Sequence, residues 1–272
     1  MQVRDCVIGP MGSKRHRMAA RGAHIVAAAL IAVYIAAHAS CSRGVSKHYR
    51  AGETLYVLAD RGLSLREAPG TDAKVLATAA RGASVVVESV PFFQRARREG
   101  TVRGYWVAVR VDGRRGYLFD AFLCRVPPYR SGEGRDAFLT RAFGAHTTEE
   151  RENDETTTVE RRYANGVRVV ITRSGIDCVE KVEYLVPAIR IETAFHLFRP
   201  LLSGLGSIDA FPDRTQVLDL SNDRDGSEQL NIVVRTDGEE VRGVEFMPDG
   251  IAYTCAIARH GDGVRVEECF ND

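Results

Sequence analysis

The chain has 272 residues, 44% of them hydrophobic, which excludes a low-complexity or disordered polymer and leaves room for two modest domains after a targeting segment. Its formal net charge is +1, and no nucleic-acid partner is expected. The charge is unevenly spread: residues 41–133 carry net +7 and residues 134–272 net −10, so the basic part either attracts an anionic partner or faces its own acidic neighbour.

Lys14, Arg15, Arg17 and Arg21 precede an apolar run from Ile25 to Ala37, too short to cross a bilayer comfortably, and residues 1–40 have the form of a secretory signal. Met11 and Met18 are alternative starts. The protein is expected to leave the cytosol, and two cleavage sites are open. Ala37-His38-Ala39 fits the small-x-small rule and would release a soluble chain beginning at Ser40. Ala39-Ser40-Cys41 resembles a lipobox, which implies lipidation of Cys41 and a membrane-anchored lipoprotein, although His38 stands where that family prefers an aliphatic residue.

Leu63-Ser64-Leu65-Arg66 alternates as a strand does, and Ala68-Pro69-Gly70 is a turn in which Pro sets φ and Gly accepts positive φ. Ala80-Arg81-Gly82 precedes Val85-Val86-Val87, a second strand, and Asp112-Gly113 joins Trp106-Val107-Ala108-Val109 to Tyr117-Leu118-Phe119 as a hairpin. In this order, over residues 52–126, these elements resemble a bacterial SH3-like (SH3b) domain. The resemblance implies a small β-barrel that recognises a cell-wall peptide or an envelope protein and catalyses nothing. Glu88 to Arg103 is longer than the turn that family has there. Phe92 and Phe93 beside Arg95, Arg97 and Arg98, with Trp106 and Tyr117 nearby, form a candidate site for an anionic or peptide ligand through stacking and bidentate contacts. The alternative is that both phenylalanines fold inward and the arginines are solvated.

Residues 127–135, rich in Pro and Gly, read as a linker, and a second domain spans 136–272. Asp136 to Phe143 has helical spacing with Asp136 as N-cap and Gly144 as stop. Thr147 to Glu155 lacks an apolar anchor and is expected to be a solvated connection. Strands follow at Thr158 to Tyr163, Val167 to Thr172 and Cys178 to Val186, then a helix from about Ile189 to Leu202 with Ile191, Ala194, Phe195, Phe198 and Leu202 on one face. Val169 to Tyr184 is echoed by Ile232 to Phe246. The expected fold is therefore mainly β, with an α+β second domain of two helix-plus-strands repeats whose helices cover one face of a shared antiparallel sheet. That arrangement is similar to β-lactamase-inhibitor proteins and small outer-membrane assembly lipoproteins.

Cys124, Cys178, Cys255 and Cys269 form an even set in an exported chain, which suggests two disulfides; four buried thiols are the alternative. A turn centred on Asp262 between strands Ile251 to Ala258 and Val264 to Phe270 would set Cys255 opposite Cys269. Elimination then pairs Cys124 with Cys178. Asp177-Cys178 suggests the nucleophile of a papain-like cell-wall hydrolase, but the Ser-Gly and helix which that family needs after its Cys are absent, and His196 and His260 stand alone as candidate bases. No metal or cofactor is expected: the histidines lack paired spacing, and Ser221 to Gly226 is an incomplete calcium loop. The sequence reads as a non-enzymatic envelope binding or scaffolding protein. The alternatives are an accessory hydrolase using Cys178 or a protein inhibitor built on the repeats.

Overall fold

The computed structural model describes residues 49–89, 96–174, 179–202, 205, 208–219, 229–238, 240–249 and 253–270. The expected signal segment, Cys41, Phe92, Phe93, Arg95, Cys178 and the stretch from Ser221 to Gly226 lie outside them.

The first half is built from short alternating strands: β1 (Thr54–Val57), β2 (Leu63–Arg66), β3 (Val75–Ala79), β4 (Ser84–Ser89), β5 (Arg97–Glu99), β6 (Val102–Gly104), β7 (Trp106–Val111), β8 (Arg114–Phe119) and β9 (Leu123–Cys124). Seven of them form one sheet in the order β3-β2-β8-β7-β4-β1-β9, while β5 and β6 stand apart as a hairpin. Val85 and Val87 on β4 face Val107 and Val109 on β7 inside the barrel core because their pleats point the same way. The expected β7–β8 hairpin is present: Asp112 and Gly113 both adopt positive φ, at 47° and 79°, between paired Val111 and Arg114. Positive φ at both turn residues matches the right-handed strand twist.

The segment after the barrel is strapped down rather than loose. Tyr129 meets the ring of Phe138 edge-on at 5.8 Å, and Arg141 holds Glu133 at 2.7 Å and the Pro128 carbonyl at 2.9 Å. Both aromatic and ionic contacts belong to α1 (Arg135–Phe143), which stops at Gly144 as its sequence implies. Then come β10 (His146–Glu152), β11 (Thr156–Tyr163), β12 (Arg168–Ser174), β13 (Glu180–Val186), α2 (Ile191–Phe198), β14 (Gln216–Asp219), β15 (Gln229–Asp237), β16 (Glu240–Pro248), β17 (Tyr253–His260) and β18 (Gly263–Phe270). The nine strands make one antiparallel sheet, ordered β10-β11-β12-β13-β18-β17-β16-β15-β14. Residues of α1 and α2 share a core with the inward residues of this sheet, as the repeat implies. The two echoed strand pairs, β12–β13 and β15–β16, are separated in the sheet by the hairpin β17–β18.

One segment differs from expectation. The run of charges after His146 is a strand, β10, paired along its whole length with β11 and exposed at every residue. Backbone pairing holds it, helped by the His146 ring on Tyr163 at 5.0 Å and by Glu149 beside Arg162 at 3.6 Å, so no apolar period marks it. Its charges suit an open sheet edge, where they discourage further pairing.

A second difference overturns the expected disulfides. The β17–β18 turn contains two residues, Gly261 and Asp262, so Thr254 lies opposite Cys269 and Cys255 opposite Glu268. A one-residue offset moves a side chain to the other face of the sheet. Cys255 points into the core as a free thiol, Cys124 is also free and buried, and Cys269 is disulfide-bonded. Neither the Cys255–Cys269 nor the Cys124–Cys178 bridge forms.

The long helical reading of Ile189 to Leu202 also shortens. Pro200 lies in the 3-10 turn Arg199–Leu201 that follows α2. It cannot donate to a continued α-helix. All eight residues of α2 are buried, including Glu192, Thr193 and His196. A helix covered all round is packed on two sides. One side meets the nine-stranded sheet, and the other meets the barrel, where Thr193 reaches the Ala121 carbonyl at 3.4 Å and His196 packs on Phe122 at 4.8 Å. Barrel and sheet thus share a core, and residues 48–272 form one compact unit.

Two outcomes follow for this packing. Peptide mapping without reductant should find Cys269 cross-linked and Cys124 and Cys255 unmodified by alkylating agents until the chain unfolds. Burial pushes the Cys124 thiol up to about 11 and the Cys255 thiol well above its usual value, so both stay protonated. A peptide joining Cys255 to Cys269 would show the strands pairing one residue away from this register.

Burial, with the Arg199 guanidinium nearby, lowers the His196 pKa from 6.5 to about 4. Between those values the unfolded chain binds a proton that the folded chain refuses, so stability should fall as pH falls across that window, by about 3 kcal/mol in all. Urea unfolding of His196→Phe should lose most of this acid slope, and a slope equal to wild type would show that His196 is not its source.

Candidate binding site

The inserted segment ends in the β5–β6 hairpin, whose paired residues are Arg97 with Gly104, Arg98 with Arg103, and Glu99 with Val102. Gly100 turns it with φ of 62°. Val102 is buried and anchors the hairpin to the shared core. Gly104 has to be glycine because a Cβ there would stand 2.5 Å from Asp120 Oδ1 and 2.9 Å from the Phe119 ring. The hairpin is therefore held at its base.

Asp120, fully buried at the end of the barrel, fixes what lies around it. Its Oδ1 accepts the Tyr105 N–H at 2.6 Å and a guanidinium hydrogen of Arg190 at 3.0 Å. Burial raises its pKa, opposed by Arg190 and the Tyr105 N–H. Arg190 is the N-cap residue of α2, so this ion pair ties the base of the hairpin to the start of the helix.

Of the residues expected to bind ligand, Arg97, Arg98, Trp106 and Tyr117 are described. Arg97 is exposed on β5, and Arg98 is exposed but ion-paired with Asp213 on the far side of the seam. Trp106 is only 3% exposed; its ring packs on Phe119 at 5.5 Å and its Nε1 donates to Glu99 at 3.3 Å. Tyr117 is half-buried and packs against the shared core. Trp106 thus belongs to the seam and is too buried to offer its face as a stacking platform.

A cavity of about 120 Å³ opens where the hairpin meets the second sheet, lined chiefly by Arg98, Thr101, Arg103, Glu192, Asp213 and Thr236. Glu192 begins α2, and Thr236 lies at the β15 end of the β15–β16 turn. Sequence reasoning reached Arg98 and ended the insertion at Arg103, but it missed Glu192, Asp213 and Thr236. They come from segments far apart in the chain, and none carries a local motif.

No other cluster competes as a metal centre: among the described residues no group of three or more His, Cys, Asp or Glu could hold an ion. Among them, too, no helix is long and apolar enough to cross a membrane.

A barrel of β2 to β8 with the Asp112-Gly113 hairpin can be compared with known families. Residues 61–123 match the bacterial SH3 domain. The match takes in the β5–β6 hairpin and leaves the nine-stranded sheet outside it. No curated protein and no solved structure matches the chain.

In this SH3 domain the tryptophan has a structural task. It is the single tryptophan of the chain, so its fluorescence reports on the seam alone. Emission should be blue-shifted and little quenched by iodide, and Trp106→Ala should destabilise the fold by about 3–5 kcal/mol through the lost packing. Quenching equal to that of a free indole would place the ring at the surface.

Proposed function

We propose that this protein is an exported, non-enzymatic binding protein of the cell envelope, carrying a lipid on Cys41 and using its SH3 domain to hold a cell-wall component. The observation that carries this reading is the bacterial SH3 match over residues 61–123, since such domains are cell-wall binding modules. The basic cluster and apolar run before Cys41 support export. The side of the barrel away from the seam remains open: Val75 and Val86 are among the few large apolar residues left exposed, and Arg110, Arg114 and Arg115 stand on the β7–β8 ribbon. Arg110 and Arg115 share one carboxylate, Glu88, at 2.6 and 3.0 Å, so the ribbon keeps net positive charge. A basic ribbon beside small apolar patches suits a peptide bearing carboxylates. The free thiols at Cys124 and Cys255 are buried and protonated, so neither is a candidate nucleophile, and Cys178, the alternative one, lies outside the described residues.

Co-sedimentation of the protein with purified sacculi tests the reading. Wild type should pellet with sacculi treated with protease to strip attached proteins. Arg114→Gln with Arg115→Gln should weaken capture by roughly threefold to tenfold and reduce its salt dependence, as expected for exposed charges. Capture that vanishes on protease treatment would transfer the partner to an envelope protein and end the cell-wall assignment.

A further inference from the structure

The face of the nine-stranded sheet turned away from the helices sorts its charges into rows that run across the strands. Strand register puts Glu149, Glu160, Glu183, Glu267 and Glu245 in one row, with Val170, Ala256 and Val233 in its remaining places from β10 to β15. Two residues further along each strand lies a second row, which holds Arg162, Arg168, Arg265 and Arg235 with Leu185 among them. The first row contains no cation and the second no anion. Like charges directly opposite each other cost stability, and a face that served only solubility would gain by alternating signs across strands. This sheet instead sets Glu149 against Glu160, Arg162 against Arg168 and Glu183 against Glu267.

Pairs between the rows relieve part of that repulsion: Arg162 with Glu160 at 2.9 Å, Arg265 with Glu267 at 3.7 Å and Arg235 with Glu245 at 2.8 Å. Pairs this exposed hold weakly, and each guanidinium has N–H donors beyond those its neighbour uses. The rows also differ in relief. The four arginine side chains are 44–67% exposed, whereas those of Glu160, Glu183 and Glu267 are 14–25% exposed, so a basic ridge stands beside an acidic groove.

Ridge and groove make the face complementary to itself. Turning a second copy by half a turn about an axis that runs along the rows, midway between them, lays the ridge of each copy in the groove of the other. Glu160 of one copy then meets Arg162 of the other, and Glu267 meets Arg265. The operation is two-fold, so the contact closes on a pair, and twisted sheets stack nearly aligned in this way. Half-buried Val170 and Leu185 lie among the charges and add apolar contact. A partner of one charge sign, such as a nucleic acid, would be attracted by one row and repelled by the other.

We infer that this face is the interface of a homodimer, in which a second copy of this chain places its arginine ridge in the acidic groove of the first. Strand and residue spacing give the two rows roughly 500 Å² per copy, at the lower end for specific interfaces, so a reversible dimer in the micromolar range is expected. The interface lies on the second sheet and goes beyond the cell-wall contact proposed for the barrel. It holds whether or not that contact does.

Sedimentation equilibrium of the full chain, in non-ionic detergent so that the apolar run from Ile25 to Ala37 does not drive association, tests the inference. Wild type should reach twice the chain mass, with a dissociation constant of roughly 1–100 μM that rises at least tenfold between low and high salt. An acidic variant, Arg168→Glu with Arg265→Glu, and a basic variant, Glu183→Lys with Glu267→Lys, should each be monomeric alone and dimerise when mixed. Arg114→Gln with Arg115→Gln on the barrel should leave the dimer unchanged. Near-ultraviolet circular dichroism from Trp106 checks folding, and if a reversed variant fails to fold, the neutral Arg168→Gln with Arg265→Gln should still weaken the dimer at least tenfold. Four results would each overturn the inference. These are a wild type that stays monomeric at about 0.5 mM, above the expected range, folded reversed or neutral variants that dimerise as wild type, folded reversed variants that stay monomeric when mixed, and a dimer lost with Arg114 and Arg115, which would move the contact to the barrel ribbon.

Discussion

The Asp120 carboxylate joins two sheets that local sequence would leave independent. Within the barrel it receives the Tyr105 N–H, and across the seam it receives Arg190 at the start of α2. Oδ2 of the same carboxylate is buried without a hydrogen-bond partner. Such a pair adds little net stability, because desolvation consumes most of its Coulomb attraction. Its effect is on orientation. Any displacement of helix against barrel strands a charge in a dry seam, so one arrangement is favoured over its neighbours.

Helix α2 explains why the seam can be dry. Its apolar residues Ile191, Ala194, Phe195 and Phe198 belong to the core shared with the nine-stranded sheet, and its polar residues turn toward the barrel. There Thr193 meets the Ala121 carbonyl, His196 packs on the Phe122 ring, and Arg199 just beyond the helix meets Asp60 and the Ile208 carbonyl. A helix that looks amphipathic in sequence is thereby buried on both faces. Ion pairs from the barrel half to the segment before β14, Arg98 with Asp213 and Arg61 with Asp209, use part of the charge asymmetry internally. Arg61 and Asp209 are largely exposed, so that pair contributes little.

The sheet is asymmetric across its two faces for the same reason. Toward the helices, Glu268 lies among Arg135, Tyr184 and Cys255, with its pKa raised by burial. On the opposite face Lys181, Glu183, Arg265 and Glu267 pair across neighbouring strands in a solvated ladder. The helices and the barrel cover one face only. The other needs no apolar surface.

The sequence by itself determined the local architecture. The Asp112-Gly113 turn, the alternating valines of the barrel and the repeated strand pairs were legible because turn geometry and strand period depend on residues within a few positions of each other. Only the tertiary structure decided the strand register at β17–β18, where a turn one residue shorter than expected put Cys255 across from Glu268 and undid both expected disulfides. It also decided the fate of Trp106, buried in the seam rather than offered to a ligand, and the strand at β10, whose charges hide a backbone pairing. The cavity was least legible. Arg98, Glu192, Asp213 and Thr236 meet only because Asp120 and Arg190 set helix and barrel together, and a contact between segments so distant in the chain leaves no periodic trace in sequence.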